Sequence, residues 1–123
     1  GPIAWYCANS GQNRGGASRC YDLTTRGGPK CAGSQPVAGK KANSLGLYDM
    51  LGNVYEWIWD FYSVPSSAPV TDPVGPATGT NRICRGGNWN NNARDVRSPD
   101  REEVPATYKD LGIGIRLVRT YTP

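Results

Sequence analysis

Two carboxylates separated by seven positions offer the first candidate chemistry in this chain. Asp49 and Glu56 bracket the run Asp-Met-Leu-Gly-Asn-Val-Tyr-Glu, with small and apolar residues between them. Calcium takes carboxylate and carbonyl oxygens as ligands, and a backbone curled over this run could supply both kinds. The alternative is a turn at the core in which Trp57 and Tyr48 pack while Glu56 is solvated.

A polar segment at residues 88–110 is the second candidate functional site. It is rich in Asn and Asp and has neither helical nor strand periodicity, which predicts a long loop. The Gly86-Gly87 pair before it indicates backbone angles that other residues adopt with difficulty. No histidine or cysteine stands beside its carboxylates, so solvated loop charges are a simpler interpretation than a general acid–base pair.

The composition indicates one domain with a modest core. The chain has 123 residues, 37% of them hydrophobic, with 16 Gly and 10 Pro, which is typical of a loop-rich fold. We take residues 1–2 as the scar of tag removal and residues 3–123 as a single domain. The net charge of +4 comes from scattered basic residues, which argues against nucleic-acid binding, and no apolar run suggests a membrane span. The absence of histidine disfavours triad and zinc chemistry.

Four cysteines stand at positions 7, 20, 31 and 84 without zinc-type spacing. A Cys20–Cys31 bridge would close a short loop and leave Cys7 to pair with Cys84, although three connectivities are possible and four reduced thiols are the alternative. An even count in a small, core-poor domain favours disulfides, and with them an extracellular or cell-surface location.

A small sheet is predicted from three β-rich segments, 54–62, 81–85 and 113–118. Alternation in the first of them places Trp57, Trp59 and Phe61 on one face. One short helix is predicted near residues 45–51, and residues 10–35 are predicted to form a loop.

Four motifs follow one another along the chain: GLYDMLGNVYEW at 46–57, DPVGP at 72–76, RICRGGNW at 82–89 and GIGIRL at 112–117. Together they resemble the C-terminal half of the formylglycine-generating enzyme (sulfatase-modifying factor) family, over about residues 4–119. The resemblance implies an α+β, C-type-lectin-like fold with a small twisted antiparallel sheet, long loops and little helix. Most of the family's N-terminal half has no counterpart here, and residues 12–34 look like an insertion.

The resemblance also bears on the two candidate sites. It implies a structural calcium ion held by the side chains of Asp49 and Glu56 with the carbonyls of Gly52 and Val54. Active members carry a pair of cysteines between the RGG motif and the last strand, whereas residues 88–111 of this chain contain none. The resemblance therefore implies that this domain is not a formylglycine-generating enzyme.

A subset of that family comprises the variable proteins of diversity-generating retroelements, whose codons mutate at adenines, so that Asn codons are favoured targets. Eight residues here are Asn or one such mutation from Asn: Asn88, Asn90, Asn91, Asn92, Asp95, Asp100, Tyr108 and Asp110. The resemblance implies a ligand-binding display domain for a protein or cell-surface ligand, with Trp89 and Arg116 in its framework. The alternative is a fixed accessory domain within a larger protein, because Asn and Asp also favour loops for their turn geometry.

Overall fold

A four-stranded sheet organises the part of the chain that the structure, a computed structural model, describes: residues 2–7, 9–10 and 33–119. The strands are β1 at Tyr55–Phe61, β2 at Asn81–Arg85, β3 at Glu102–Pro105 and β4 at Ile113–Gly114. Their spatial order is β3-β2-β1-β4. The β1–β2 and β2–β3 pairs are antiparallel, whereas β1 and β4 are parallel, so the sheet is mixed where an antiparallel one was predicted.

The strands and turns differ from the sequence prediction in three places. β1 and β2 form where β-rich segments predict them, but β3 lies inside the predicted loop at 88–110. The predicted strand at 113–118 shortens to the two residues of β4. Residues 45–51 form turns because Gly46 and Asp49 take left-handed φ angles of +76° and +54°, which a right-handed helix does not accommodate. None of the described residues forms a helix that could cross a membrane.

One face of the sheet carries the core, which consists of buried Tyr55, Cys84 and Val104 with Trp57 and Ile113 packed against them. Residues directly opposite each other on neighbouring strands share a face. The register sets Trp57 opposite Cys84 on β2, and Cys84 opposite Glu102 on β3. Glu102 therefore lies on the core face, while its neighbour Glu103, opposite Ile83, lies on the other.

The pairing of β1 with β2 is irregular near the aromatic residues at the end of β1. The pairing with β2 shifts register between Ile58 and Phe61. Trp59 is 85% exposed, and the side of the sheet on which alternation places it with Trp57 and Phe61 is thus open to solvent at this position. The Arg82 guanidinium lies 4.9 Å from the Trp59 ring centre and 4.3 Å from that of Phe61, a cation–π arrangement with both rings.

The N-terminal segment makes main-chain contacts with the chain before β1 and with the chain after β2. Trp5 makes a parallel bridge with Gly52 ahead of β1, and the Cys7 amide donates to the Asn91 carbonyl at 2.9 Å beyond β2. Any side chain at Gly52 would collide with the Trp5 carbonyl, and its φ of +77° also favours glycine. This close approach explains a glycine of the GLYDMLGN motif by backbone packing.

The cysteines depart from the predicted pairing. Cys7 is in a disulfide, whereas Cys84 is a free thiol and fully buried. The Cys7–Cys84 pairing is therefore wrong, because Cys84 belongs to the core between β1 and β3. Cys20 and Cys31, and with them the predicted Cys20–Cys31 bridge, lie outside the described residues.

Candidate ligand-binding site

Main-chain hydrogen bonds hold residues 88–110 in place at several points. The Asn53 carbonyl accepts from the Trp89 amide at 2.8 Å, beside the bond between Cys7 and Asn91. Further bonds close turns along the segment: Asp95 to Asn92, Asp100 to Arg97, and Tyr108 to Pro105. Because these bonds join main-chain atoms only, they do not depend on the side chains of Asn92, Asp95 and Tyr108.

Three of the predicted ligand residues use their side chains to fix this path. The buried Asn88 accepts at Oδ1 from the Asn90 amide at 2.9 Å, and Asn91 Oδ1 accepts from the Asn88 amide at 2.7 Å. Asp110 Oδ1 accepts from the Gly112 amide at 2.7 Å. Asn and Asp side chains commonly replace main-chain partners in turns, so these three are structural as well as candidate ligand residues.

A cavity of about 350 Å³, which we call the loop cavity, opens where this segment meets the core face of the sheet. Five of the eight predicted ligand residues line it: Asn88, Asn90, Asn91, Tyr108 and Asp110. Asn92, Asp95 and Asp100 do not. The sheet contributes the remaining lining residues, which are Tyr55, Cys84, Glu102, Val104 and Ile113. The structure thus brings most of the predicted surface together around a single concave site.

Glu102 is a lining residue that sequence reasoning did not select as a ligand. Its segment, Glu-Glu-Val-Pro, is too short and too polar to show strand periodicity. Only the pairing of β3 with β2 shows that Glu102 and Glu103 point to opposite faces. The sequence alone therefore carried no signal that could have found it.

Four of the other predicted ligand residues have side chains that do not hold the fold together. The Asn90, Asn92 and Tyr108 side chains make no hydrogen bond within the described residues, and Tyr108 is 47% exposed. Asp95 pairs with Arg94 at 3.5 Å on the surface, where ion pairs contribute little to stability. These four positions can change with small consequences for the fold.

Burial, and after it the charge of nearby carboxylates, shifts the pKa values of three residues that line the loop cavity. Burial, and next the Glu102 charge, raise the pKa of the Cys84 thiol to about 11. Burial, then Glu102 and Asp100, raise the pKa of Tyr55 to about 12, against a hydrogen bond from Asn91 that lowers it. The pKa of Glu102 is itself raised, first by partial burial and then by Asp100. At neutral pH the cavity therefore presents a neutral thiol and phenol beside carboxylates.

The predicted calcium ligands lie at a separate cavity, of about 420 Å³, which both Asp49 and Glu56 line. Asp49 Oδ2 accepts from the Ala38 amide at 2.7 Å, while its Oδ1 is buried without a hydrogen-bond partner in the described chain. That oxygen fits a cation. Glu56, however, accepts from Arg116 Nε at 2.8 Å and from Arg116 Nη2 at 2.5 Å, so a guanidinium already neutralises it.

The two predicted carbonyl ligands lie in the turn between those carboxylates. The Gly52 amide donates to the Gly86 carbonyl at 2.7 Å, and the Val54 side chain packs beside Gly114. Among described residues, no three His, Cys, Asp or Glu side chains cluster in a way that could hold a metal. An ion at this place would depend on main-chain oxygens for much of its coordination.

Comparison with known families assigns the chain. The sulfatase-modifying factor enzyme 1-like domain matches residues 2–121, and the chain belongs to that family. The variable protein 1 of Treponema denticola superposes with a TM-score of 0.73 at 29% identity, covering 93% of this chain and 34% of that one. The C-type-lectin-like fold class inferred from the motifs is confirmed.

The sequence relatives are much longer proteins. The serine/threonine-protein kinase Pkn1 of Chlamydia trachomatis is 47% identical over 70 residues, 54% of this chain and 11% of its own length. The chaperone protein LppX of Paenibacillus barcinonensis is 30% identical over 120 residues, 96% of this chain and 38% of its own. The formylglycine-generating enzyme of Bos taurus is 36% identical over 70 residues, 56% of this chain and 19% of its own. The chain spans well under half of each.

Proposed function

We propose that this domain is a non-catalytic ligand-binding module that presents the side chains of residues 88–110 to a protein or cell-surface ligand. The loop cavity is the observation that carries the proposal, since five of the eight candidate positions converge on it. Small-molecule and side-chain ligands bind preferentially in concave sites with a few convergent polar groups. Main-chain bonds support the segment independently of several of these side chains.

Variation by a diversity-generating retroelement is the proposed source of the ligand surface. Asn90, Asn92 and Tyr108 combine the residue types that adenine mutagenesis yields with side chains that the fold does not use. Similarity to the variable protein 1 of Treponema denticola supports this reading. Asn88, Asn91 and Asp110 are less suitable for variation, because their side chains fix the backbone.

The absence of catalysis rests on the thiol chemistry of the site. Residues 88–111 contain no cysteine, and the one cysteine that lines the loop cavity is Cys84. Burial keeps that thiol protonated at neutral pH, whereas thiolates are the nucleophiles and soft-metal ligands. A formylglycine-generating role would need a pair of reactive thiols that this cavity does not contain.

A fixed accessory domain is the second candidate. It is favoured by the Pkn1 relatives, in which the matched region is a small part of a long kinase, and by the structural use of Asn88, Asn91 and Asp110. In that case the Asn residues are present for turn geometry.

The DNA that flanks the coding region distinguishes a variable protein from a fixed accessory domain. The variable-protein proposal expects a near-identical template repeat beside a reverse-transcriptase gene, differing from codons 88–110 only at adenines. Differences should concentrate at the codons for Asn90, Asn92 and Tyr108 and spare that for Trp89. A region without any such repeat would contradict variation and leave the fixed accessory domain.

Calcium remains part of the proposal as a structural ion near Asp49, whose free buried oxygen is its support. Glu56 could contribute only by sharing its carboxylate with Arg116 or releasing it. When bound, the ion would supply charge neutralisation between the turn at 49–54 and β1.

A further inference from the structure

The loop cavity has a charge opposite to that of the chain as a whole. The protein carries a net charge of +4, yet the charged side chains lining the cavity in the described structure are Glu102 and Asp110, with no lysine or arginine among them. A cavity of one sign concentrates ligands of the other. The ligand that this site selects should therefore be positive.

Glu102 is a carboxylate without a counter-ion. No hydrogen bond or ion pair from any described residue reaches it, whereas Glu103 accepts from Asn81 Nδ2 at 2.7 Å. The neighbouring arginines are engaged elsewhere: Arg97 with Asp100 at 3.5 Å, and Arg101 with the Ser63 carbonyl at 3.0 Å. Glu102 is exposed to solvent at the mouth of the cavity, on the same face of the sheet as Cys84, and no described residue neutralises it.

The remaining walls suit an alkyl chain that ends in a cation. Val104 and Ile113 supply apolar surface, and Tyr55 and Tyr108 supply aromatic rings within the same lining. Aromatic faces attract cations. The buried Asn88 amide and Cys84 thiol complete the lining, so the site is built from the core and not only from exposed loop side chains.

We propose that the loop cavity binds a primary ammonium group on a short alkyl chain, as in a lysine side chain of a protein ligand, with Glu102 as its principal partner. The inference rests on the proposed function, since it assigns a ligand class to the same site. Glu102 does not belong to the predicted variable set. The site would therefore keep its preference for cationic ligands while the neighbouring loop residues vary.

The test is a titration by NMR of the whole domain with n-butylammonium, with 1-butanol and butyrate as neutral and anionic controls at constant pH and ionic strength. Butylammonium should shift the amides of Tyr55, Val104, Tyr108 and Ile113, with an affinity at least tenfold above either control. Glu102→Gln should lower the affinity for butylammonium by about tenfold or more, because a charge-assisted hydrogen bond is lost. Glu103→Gln, on the opposite face, should change it less than twofold.

Equal shifts by butanol or butyrate, or equal affinity in the Glu102→Gln and Glu103→Gln variants, would overturn the ammonium assignment. So would the absence of shifts with every probe. The titration and the flanking DNA sequence are independent tests: the titration tests the ammonium assignment, and the flanking DNA tests the proposed function. Conversely, Glu102-dependent ammonium binding by a domain that lacks a template repeat would support the assignment while contradicting a variable surface.

Discussion

At the scale of single residues, adjacent carboxylates on β3 have different roles. Glu103 has a hydrogen-bond partner in Asn81, whereas Glu102 lies on the core face with none among described residues and with Asp100 near it. An unneutralised carboxylate beside a second carboxylate adds nothing to the stability of a fold and can lower it, even at an exposed position. Retaining Glu102 is thus consistent with a binding role.

Replacing Glu102 with Gln should raise the melting temperature at pH 7. The pKa of Glu102 is raised in the folded state, so the folded protein favours the protonated form, and stability is lost as the pH rises through that value. The gain should be small, within about 0.5 kcal/mol for an exposed position. It should vanish below about pH 4, where the unfolded glutamate is also protonated.

Thermal melts from pH 3 to pH 8 measure this effect, with Glu103→Gln as the matched control. The control should show no gain, because it removes the carboxylate that accepts from Asn81. A loss of stability in the Glu102 variant at neutral pH would show that the carboxylate has a stabilising partner.

The Cys84 thiol should be inert in the folded protein. It is fully buried, and its pKa of about 11 leaves little thiolate at neutral pH. Labelling with a maleimide at pH 7 under native conditions, followed by peptide mapping, should leave Cys84 unmodified. Denaturation without reductant should expose it, while Cys7 should need reduction first. Rapid native labelling of Cys84 would contradict the core described here.

At the scale of elements, one ion pair links β1 to the chain beyond β4. Arg116 makes two bonds to Glu56, and its Nη2 also donates to the Tyr48 carbonyl at 2.9 Å. Both side chains are more than two-thirds buried, so removing one partner would leave the other charge uncompensated. The bidentate geometry of the pair also fixes the direction in which the C-terminal segment leaves the sheet.

Arg116→Gln should destabilise the domain by about 2 kcal/mol, because Glu56 is left charged and partly buried without a partner. Urea denaturation of the single variants, and of the double variant with Glu56→Gln, measures the coupling. The double variant should be more stable than Arg116→Gln alone. Strictly additive losses would mean that the two side chains do not interact.

Calcium should compete with this arginine if it binds at the predicted place. Free calcium about tenfold above its Kd adds about 1.4 kcal/mol to the stability of a protein that binds it only when folded. Melts in millimolar calcium and in excess chelator should differ, and more so in Arg116→Gln, where Glu56 is released. Asp49→Asn should reduce the difference. If calcium and chelator gave the same melting temperature in the wild type, and again in Arg116→Gln, the calcium site would be contradicted.

The elements also show how far the sequence could predict the fold. β1 was predictable because aromatic residues and Ile58 fill most of it, and β2 because the short segment Asn81–Arg85 ends at a Gly-Gly pair. β3 was not, because Glu-Glu-Val-Pro becomes a strand through pairing with β2 and not through its own propensity. The loop cavity was half predictable: residue types pointed to Asn90 and Tyr108, whereas Glu102 depends on that pairing.

At the scale of the whole molecule, a small mixed sheet supports a long segment that is rich in polar side chains. Main-chain bonds to Asn53 and from Cys7 hold the segment, so its path is set by the framework. Side chains divide into those that fix the path, such as Asn88 and Asn91, and those that do not, such as Asn90. This division is the property that a display surface requires.

The central claim, that side chains on this framework can be exchanged while the fold persists, is tested most directly by paired libraries. One is randomised at four positions without structural duties, Asn90, Asn92, Asp95 and Tyr108, and the other at three that fix the backbone, Asn88, Asn91 and Asp110. Protease resistance of individual clones measures the folded fraction. Most clones of the first library should be as resistant as the parent, because surface substitutions usually cost within about 0.5 kcal/mol. Most clones of the second should be cleaved, and equal loss of resistance in both libraries would contradict the claim.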